Sequence, residues 1–263
     1  MGIDAVLLRR IDPASDRAVF RQIADHLREA VRTGRISAGD KLPSEAQLMG
    51  HYGVARMTVR NAIQELTTEG LVVAEHGRGV FVRARPPVKR LASDRFARRH
   101  RKDGKAAFLA ESETVGAKAA VDRITVDEAP APADVAERLK VQPGAIVVAR
   151  RRRYSLDGRP VELATSYIPV ELARGTQIMD PNPGPGGIYA RIEEQGHVLE
   201  RYVEDVWTRM PTREEAQLLG LGPGMPVFRL VRTAYDLEGH AVEVCDTIMS
   251  GDAYQLSYEL PAH

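Results

Sequence analysis

Arg56, Arg60 and Gln64 stand four residues apart, with Thr58 and Asn61 between them. At that spacing the three long side chains share one face of a helix. Arg can bond a guanine edge bidentately and Asn an adenine edge, so the set suits the reading of bases in a major groove. A solvated face of an ordinary helix is the other reading of the same residues. Further along, Arg78 stands between Gly77 and Gly79, where a cation can approach a phosphate or a minor groove without hindrance from its neighbours. Catalytic chemistry has little to work with: the seven histidines are scattered, and no Gly-x-Ser-x-Gly or phosphate-loop sequence is present. Cys245 is the only cysteine, which excludes an intrachain disulfide and a cysteine-based metal centre. No catalytic residue, metal ligand set or cofactor is expected.

The elements that must position these residues are legible nearby. From Asp16 to Arg35, Val19, Phe20, Ile23, Leu27, Ala30 and Val31 recur at steps of three and four, which predicts a packed helix. Ser44 and Gln47 form a capping-box pair that opens a short second helix, which stops at Gly53. A third helix is predicted from about Ala55 to Thr68, burying Val59, Ala62, Ile63 and Leu66 and exposing the cationic face. Leu71–Glu75 and Val80–Arg83 read as strands joined by the tight turn His76-Gly77-Arg78-Gly79, a β-hairpin.

Composition sets the frame. A chain of 263 residues, 43% hydrophobic and 28% charged, predicts a folded protein of two domains. No run approaches the ~18–20 apolar residues of a membrane span, and Arg9 and Arg10 follow rather than precede the first apolar residues. A cytoplasmic protein without membrane association is expected. The net charge of +1 hides a division: residues 1–105 hold 21 Lys and Arg against 12 Asp and Glu, and residues 106–263 hold 16 against 24. One end suits a polyanion and the other does not.

The order and identity of these segments resemble the winged helix-turn-helix of the GntR family of bacterial transcription regulators. The likeness rests on Phe20-Arg21-Gln22-Ile23, Gly39-Asp40-Lys41-Leu42-Pro43-Ser44-Glu45, Gly53 to Arg60, Glu69-Gly70-Leu71 and His76 to Val82. It implies contacts to double-stranded operator DNA from Ser44, Glu45, Arg56, Met57, Thr58, Arg60, Asn61, His76, Gly77 and Arg78. Ala46 stands where many relatives carry Arg, which implies a different operator.

Residues 86–105, with Pro86-Pro87 and a cluster of five cations from Arg95 to Lys102, read as a basic linker between a domain over 1–85 and one over 106–263. The second domain contains an internal repeat. Ala136, Leu139, Val141, Pro143, Gly144, Val147 and Arg152 recur eighty positions later as Ala216, Leu219, Leu221, Pro223, Gly224, Val227 and Arg232, and Gly158, Val161 and Glu162 recur eighty-one later as Gly239, Val242 and Glu243. Each copy reads as a short helix, a Pro-Gly turn, a long strand, a hairpin turn and a return strand. A helix near Tyr189–Gln195 and a strand near Val198–Met210 complete an α+β domain around one antiparallel sheet.

Such a repeat resembles the UTRA effector-binding domain, chorismate-lyase-like in fold, that follows the winged helix in the HutC-type branch. The resemblance implies a pocket in the sheet for a small polar or anionic effector, with Arg152, Glu162, Ser166, Tyr189 and Glu243 as candidate contacts. Exposed strand cations at Arg150 and Arg152, and a cross-strand charge pair at Glu243, remain alternatives. Tyr154, Ala164 and Met249 depart from the pattern of phosphosugar-responsive relatives. The expected function is a homodimeric repressor that binds an inverted-repeat operator and answers to an effector. A chorismate-lyase-like enzyme fused to a DNA-binding module, or an architectural DNA-binding protein, would explain the layout less completely.

Overall fold

A computed structural model describes residues 9–75, 77–83, 88–91, 108 and 117–259. The chain divides into two compact units, one of Met1–Arg85 with Gly222–Met225 and one of Pro86–Leu221 with Pro226–His263.

In the first unit, α1 (Val19–Arg32), α2 (Glu45–Tyr52) and α3 (Arg56–Thr68) precede a hairpin of β1 (Val72–Glu75) and β2 (Gly79–Val82). The core joins Ile23, Leu27 and Ala30 of α1 to Leu48, Val59, Ala62 and Leu66, with Val72 and Val82 of the hairpin. Val19, assigned to the buried face from sequence, is 38% exposed because it lies in the first turn of α1. Gln22 is buried instead: its amide nitrogen donates to the carbonyls of Asp12 and Arg17, and its oxygen accepts from the Asp12 amide, tying the preceding segment to α1. The capping box forms as the sequence predicts, Ser44 Oγ accepting from the Gln47 amide and Gln47 Oε1 from the Ser44 amide. Gly53 closes α2 at φ 64°, a left-handed conformation that glycine adopts without a Cβ penalty. The segment before α2 adds itself to the hairpin through Gly39 N to Val82 O and Leu42 N to Val80 O.

The second unit is built on a six-stranded antiparallel sheet in the order β4-β5-β6-β9-β8-β7. The strands are β4 (Ala119–Pro130), β5 (Ile146–Leu156), β6 (Arg159–Pro169), β7 (Leu199–Arg209), β8 (Val227–Asp236) and β9 (Ala241–Ser250). From the central β6–β9 pair the order reads outward alike in both directions. α4 (Ala133–Leu139) lies between β4 and β5 in sequence, and α7 (Arg213–Leu219) between β7 and β8. Both hairpins carry a register irregularity, between Tyr154 and Ser155 in one and Ala234 and Tyr235 in the other.

Side chains alternate across a strand, so the sheet has two distinct faces. On one, α4 packs Val135, Ala136 and Leu139 against Val147, Val231 and Val244, while Leu219 of α7 meets Val227 and Ile248. On the other, α6 (Gly187–Glu194), which follows the short α5 (Val170–Ala173), packs Ile188, Tyr189 and Ile192 with Val148, Ile168 and Ala234.

Two features differ from the sequence reading. The linker expected over 86–105 is interrupted by β3 (Val88–Leu91), which pairs in parallel with β10 (Tyr254–Ser257) and buries Arg90 to 1% exposure. Lys89 and Arg90 hid this strand from any apolar pattern; residues 92–107 lie outside the described set. β4 went unread because it is an edge strand, mostly exposed, with a bulge where Arg123 takes φ 49°. Charge and a bulge are what blunt an exposed edge against further pairing.

Candidate nucleic-acid interface and buried polar cluster

α3 presents Arg56, Met57, Arg60 and Asn61 to solvent, with Thr58 half-buried beside them. Glu45, the first residue of α2, reaches two of these: its Oε1 lies 3.0 Å from Arg60 Nε and its Oε2 3.6 Å from Arg56 Nε. One carboxylate thus aligns two guanidiniums a helical turn apart. Met57 is 61% exposed, an apolar tip among cations that suits a thymine methyl. Ser44 is exposed while its hydroxyl serves the α2 cap. At the hairpin tip Gly77 and Arg78 are exposed, and the Arg78 guanidinium lies 5.4 Å from the centre of the Phe81 ring. His76 lies outside the described residues.

In the second unit, the run Arg150–Arg153 is sorted by strand alternation. On the face that carries α4 and α7, Arg151 and Arg153 pair with Asp127 and Asp122, the latter at 2.6 Å. Arg150 and Arg152 turn to the α6 face. Arg150, 2% exposed, donates to the carbonyls of Asp180 and Pro181 at 2.5 Å and of Ile178 at 3.3 Å. It is therefore a buried clip for that loop, and the exposed-cation alternative fails for it. Burial, with Arg152 nearby, lowers its pKa to about 10.

Register places the polar residues in rows. One row runs Arg150, Ser166, Cys245, Arg232, Glu204; the next, Arg152, Ala164, Thr247, Leu230; the third, Tyr154, Glu162, Met249, Phe228. Arg152 donates to the Ser166 hydroxyl. Tyr189 OH donates to Glu243, and Arg232 reaches both, Nε to Tyr189 OH at 3.0 Å and Nη2 to Glu243 at 3.4 Å. Glu243 is a charge pair, as its alternative reading had it, but with Arg232 of β8 rather than with its register partner Ala234. Glu162 sits one row beyond and accepts from Tyr254 OH at 2.8 Å. Arg90 crosses from β3 to donate to Glu204 at 2.5 Å, its Nη1 3.5 Å from Met249 Sδ.

The electrostatics of the cluster follow from burial opposed by pairing. Desolvation works against the charge on Arg232, yet Tyr189, Glu243, Cys245 and Glu204 outweigh it and raise its pKa well above the usual range. Desolvation likewise opposes the charge on Arg152, and the net shift is again upward, with Tyr154, Cys245 and Glu243 the favourable neighbours. Burial raises the Tyr189 phenol well above its ordinary value, so it remains a donor at neutral pH. Among the described residues, Arg90, Arg150, Arg152 and Arg232 meet this face against Glu162, Glu204 and Glu243, one more cation than anion. The buried Nε of Arg152 has no hydrogen-bond partner among the described residues.

Arg152, Ser166, Tyr189 and Glu243 are thus brought together, while Glu162 stands apart with Tyr254. Arg232 is the residue that sequence reasoning missed, and its signal was present: it is the recurrence of Arg152 eighty positions on. Arg90 and Glu204 carried no such signal. The departing positions are filled by the Tyr154 ring against Phe108 at 4.5 Å, the Ala164 methyl and the Met249 thioether.

Comparison with known proteins decides what this pairing of units is. Residues 20–82 match the gntR family of bacterial regulatory proteins, and residues 115–255, more than half of the chain, match the UTRA domain. The chain belongs to the GntR family. Within it, a helix-turn-helix regulator of Streptomyces coelicolor is 35% identical over 246 residues, 91% of each chain. The transcriptional repressor NagR of Bacillus subtilis is 28% identical over 246 residues, 93% of this chain and 95% of NagR. The crystal structure of PhnF from Mycobacterium smegmatis superposes with a TM-score of 0.58 at 26% identity, covering 92% of this chain and all of that one. As a GntR-family protein with a UTRA domain, the chain is a DNA-binding transcriptional regulator rather than an enzyme, and the lyase alternative is set aside. No described helix is long and apolar enough to cross a membrane.

Proposed function

We propose that the chain is a cytoplasmic, homodimeric repressor of the HutC-type branch that binds an inverted-repeat operator and is released by a small anionic or polar effector. The observation that carries the effector reading is Arg152. Its guanidinium stands on a buried face with a hydroxyl for its hydrogen-bond partner and an unpartnered Nε, where a carboxylate or phosphate oxygen would satisfy it. The Arg232–Tyr189–Glu243 group lies on the same face of the sheet, and its carboxylate can accept from an effector's hydroxyl or amine. NagR, MngR and PhnF are named as repressors, which favours the same sign here. Two winged heads on one dimer match two half-sites, and their joint binding multiplies a modest single-head affinity.

The test is to identify by native mass spectrometry the small molecule carried through purification and titrate the operator complex with it. Loss of operator affinity, and occupancy that falls in Arg152→Ala, is expected; operator affinity indifferent to every bound species would overturn the reading. A monomer in light scattering at tens of micromolar would overturn the dimer.

Glu45→Gln probes the recognition helix separately. Removing a carboxylate from a phosphate-facing surface should raise affinity for random duplex, while loss of the alignment of Arg56 and Arg60 should lower preference for the operator. An exposed pair is worth up to ~1 kcal/mol, so the ratio of specific to random binding should fall by up to about five-fold. Fluorescence anisotropy on both duplexes measures it; an unchanged ratio would show that Glu45 aligns nothing.

A further inference from the structure

We propose that His197, Asp236, Glu238 and His240 form a binding site for a zinc-class divalent transition metal at the tip of the β8–β9 hairpin. The site is separate from the buried polar cluster, since Asp236 lies four residues along β8 from Arg232, roughly 13 Å at strand rise.

The donor geometry carries the proposal. Asp236 Oδ2 lies 2.8 Å from His197 Nδ1 and 3.4 Å from His240 Nδ1, and one donor atom from each of the three residues falls within 4.8 Å of the others. Glu238 Oε2 is 3.5 Å from His240 Nδ1. A tetrahedral zinc ion with bonds of about 2.0–2.1 Å sets its donors roughly 3.3 Å apart, so small side-chain rotations bring this set to coordination distance. Two imidazoles exclude calcium or magnesium as the preferred ion and suit zinc, nickel or copper.

The aspartate is already held as a ligand must be. Its side chain is 3% exposed, and its other oxygen, Oδ1, accepts from the amides of Glu238 at 3.0 Å and His240 at 2.8 Å. That arrangement fixes the carboxylate and leaves Oδ2 facing the two rings. Burial works to raise its pKa, but the hydrogen bond with His197 and the two amides outweigh it, so the carboxylate is ionised. The fold does not require these residues. The β5–β6 hairpin closes with Asp157-Gly158 at φ 49° and 80°, and has Leu156 and Arg159 where this one has Asp236 and His240.

The ion would join the segment that follows α6, which carries Tyr189, to the start of β9, which carries Glu243. Its presence is tested without DNA or effector, so failure of the metal site and failure of the effector reading are distinguishable. The full-length chain, stripped with chelator, is titrated with Zn²⁺ by calorimetry and with Co²⁺ by visible absorption. One equivalent per chain is expected, with the absorption of a tetrahedral Co²⁺ site. His240→Ala changes a side chain that is 64% exposed and should leave the fold intact while weakening binding at least ten-fold. His51→Ala, on the exposed end of α2, should bind as the parent does. No binding by the stripped parent, or equal binding by parent and His240→Ala, would overturn the site.

Discussion

Replacing Arg232 with methionine should destabilise the C-terminal unit by about 3–5 kcal/mol, because Glu243 is 1% exposed and would be left buried without its cation. Arg152→Met should change stability by about 1 kcal/mol or less, since the partner it abandons is the Ser166 hydroxyl, which also lies 3.7 Å from Cys245 Sγ. The two arginines recur in sequence and stand on adjacent rows, yet on the proposed reading one holds the structure and the other takes the ligand. Trp207 is the only tryptophan and lies on β7, so its fluorescence in urea reports this unit without interference from the first. If effector release is coupled to operator binding by ~3 kcal/mol, the parent loses about 150-fold in operator affinity on saturation, and Arg152→Met loses none. Equal destabilisation by both substitutions, or an effector response that survives Arg152→Met, would show the division of roles to be wrong.

At the other end of the chain, Arg56→Ala and Arg60→Ala should each cost on the order of 1–3 kcal/mol in operator binding, roughly 5- to 150-fold, with preference relaxed at one base pair. Both side chains are exposed and, among the described residues, ion-paired only with Glu45 at the surface, so folding should be unaffected. Arg78→Ala at the hairpin tip should weaken specific and random duplexes alike and reduce the salt dependence. Binding measured on operator and scrambled duplex across a salt series separates these outcomes. Uniform losses for all three variants would mean that α3 does not read bases.

What the sequence disclosed and what it concealed divide along physical lines. Local rules sufficed for α2, whose capping box and terminal glycine are both chemical signals, and for α3, whose faces differ sharply. The paired hairpins of the sheet were legible through Asp157-Gly158 and Glu238-Gly239 and through the recurring residues. β3 and β4 were not, because a strand that carries Lys89 and Arg90, or one exposed along an edge, lacks the apolar alternation that burial imposes. Among the site residues, Arg152, Ser166, Tyr189 and Glu243 converge, whereas Glu162 is drawn to Tyr254 by a strand that begins 92 residues later. The sequence could pose the choice between solvated and buried for Arg150; only the loop at Ile178–Pro181, folded over it, decides the answer.

The alternation of Arg150 to Arg153 also constrains how this regulator can diverge. A single inserted or deleted residue within β5 would exchange the two sets, carrying Arg151 and Arg153 to the α6 face and Arg150 and Arg152 to the face that α4 and α7 cover. Change of length is thereby confined to the hairpin ends, where one turn has two residues and its counterpart three. Novelty in the centre of the sheet must come by substitution at fixed addresses. Tyr154, Ala164 and Met249 occupy three of those addresses, on the row of Arg152 and the row beside it. On the proposed reading, descendants of such a protein can exchange one effector for another by single steps at these places while keeping the Arg152 cation.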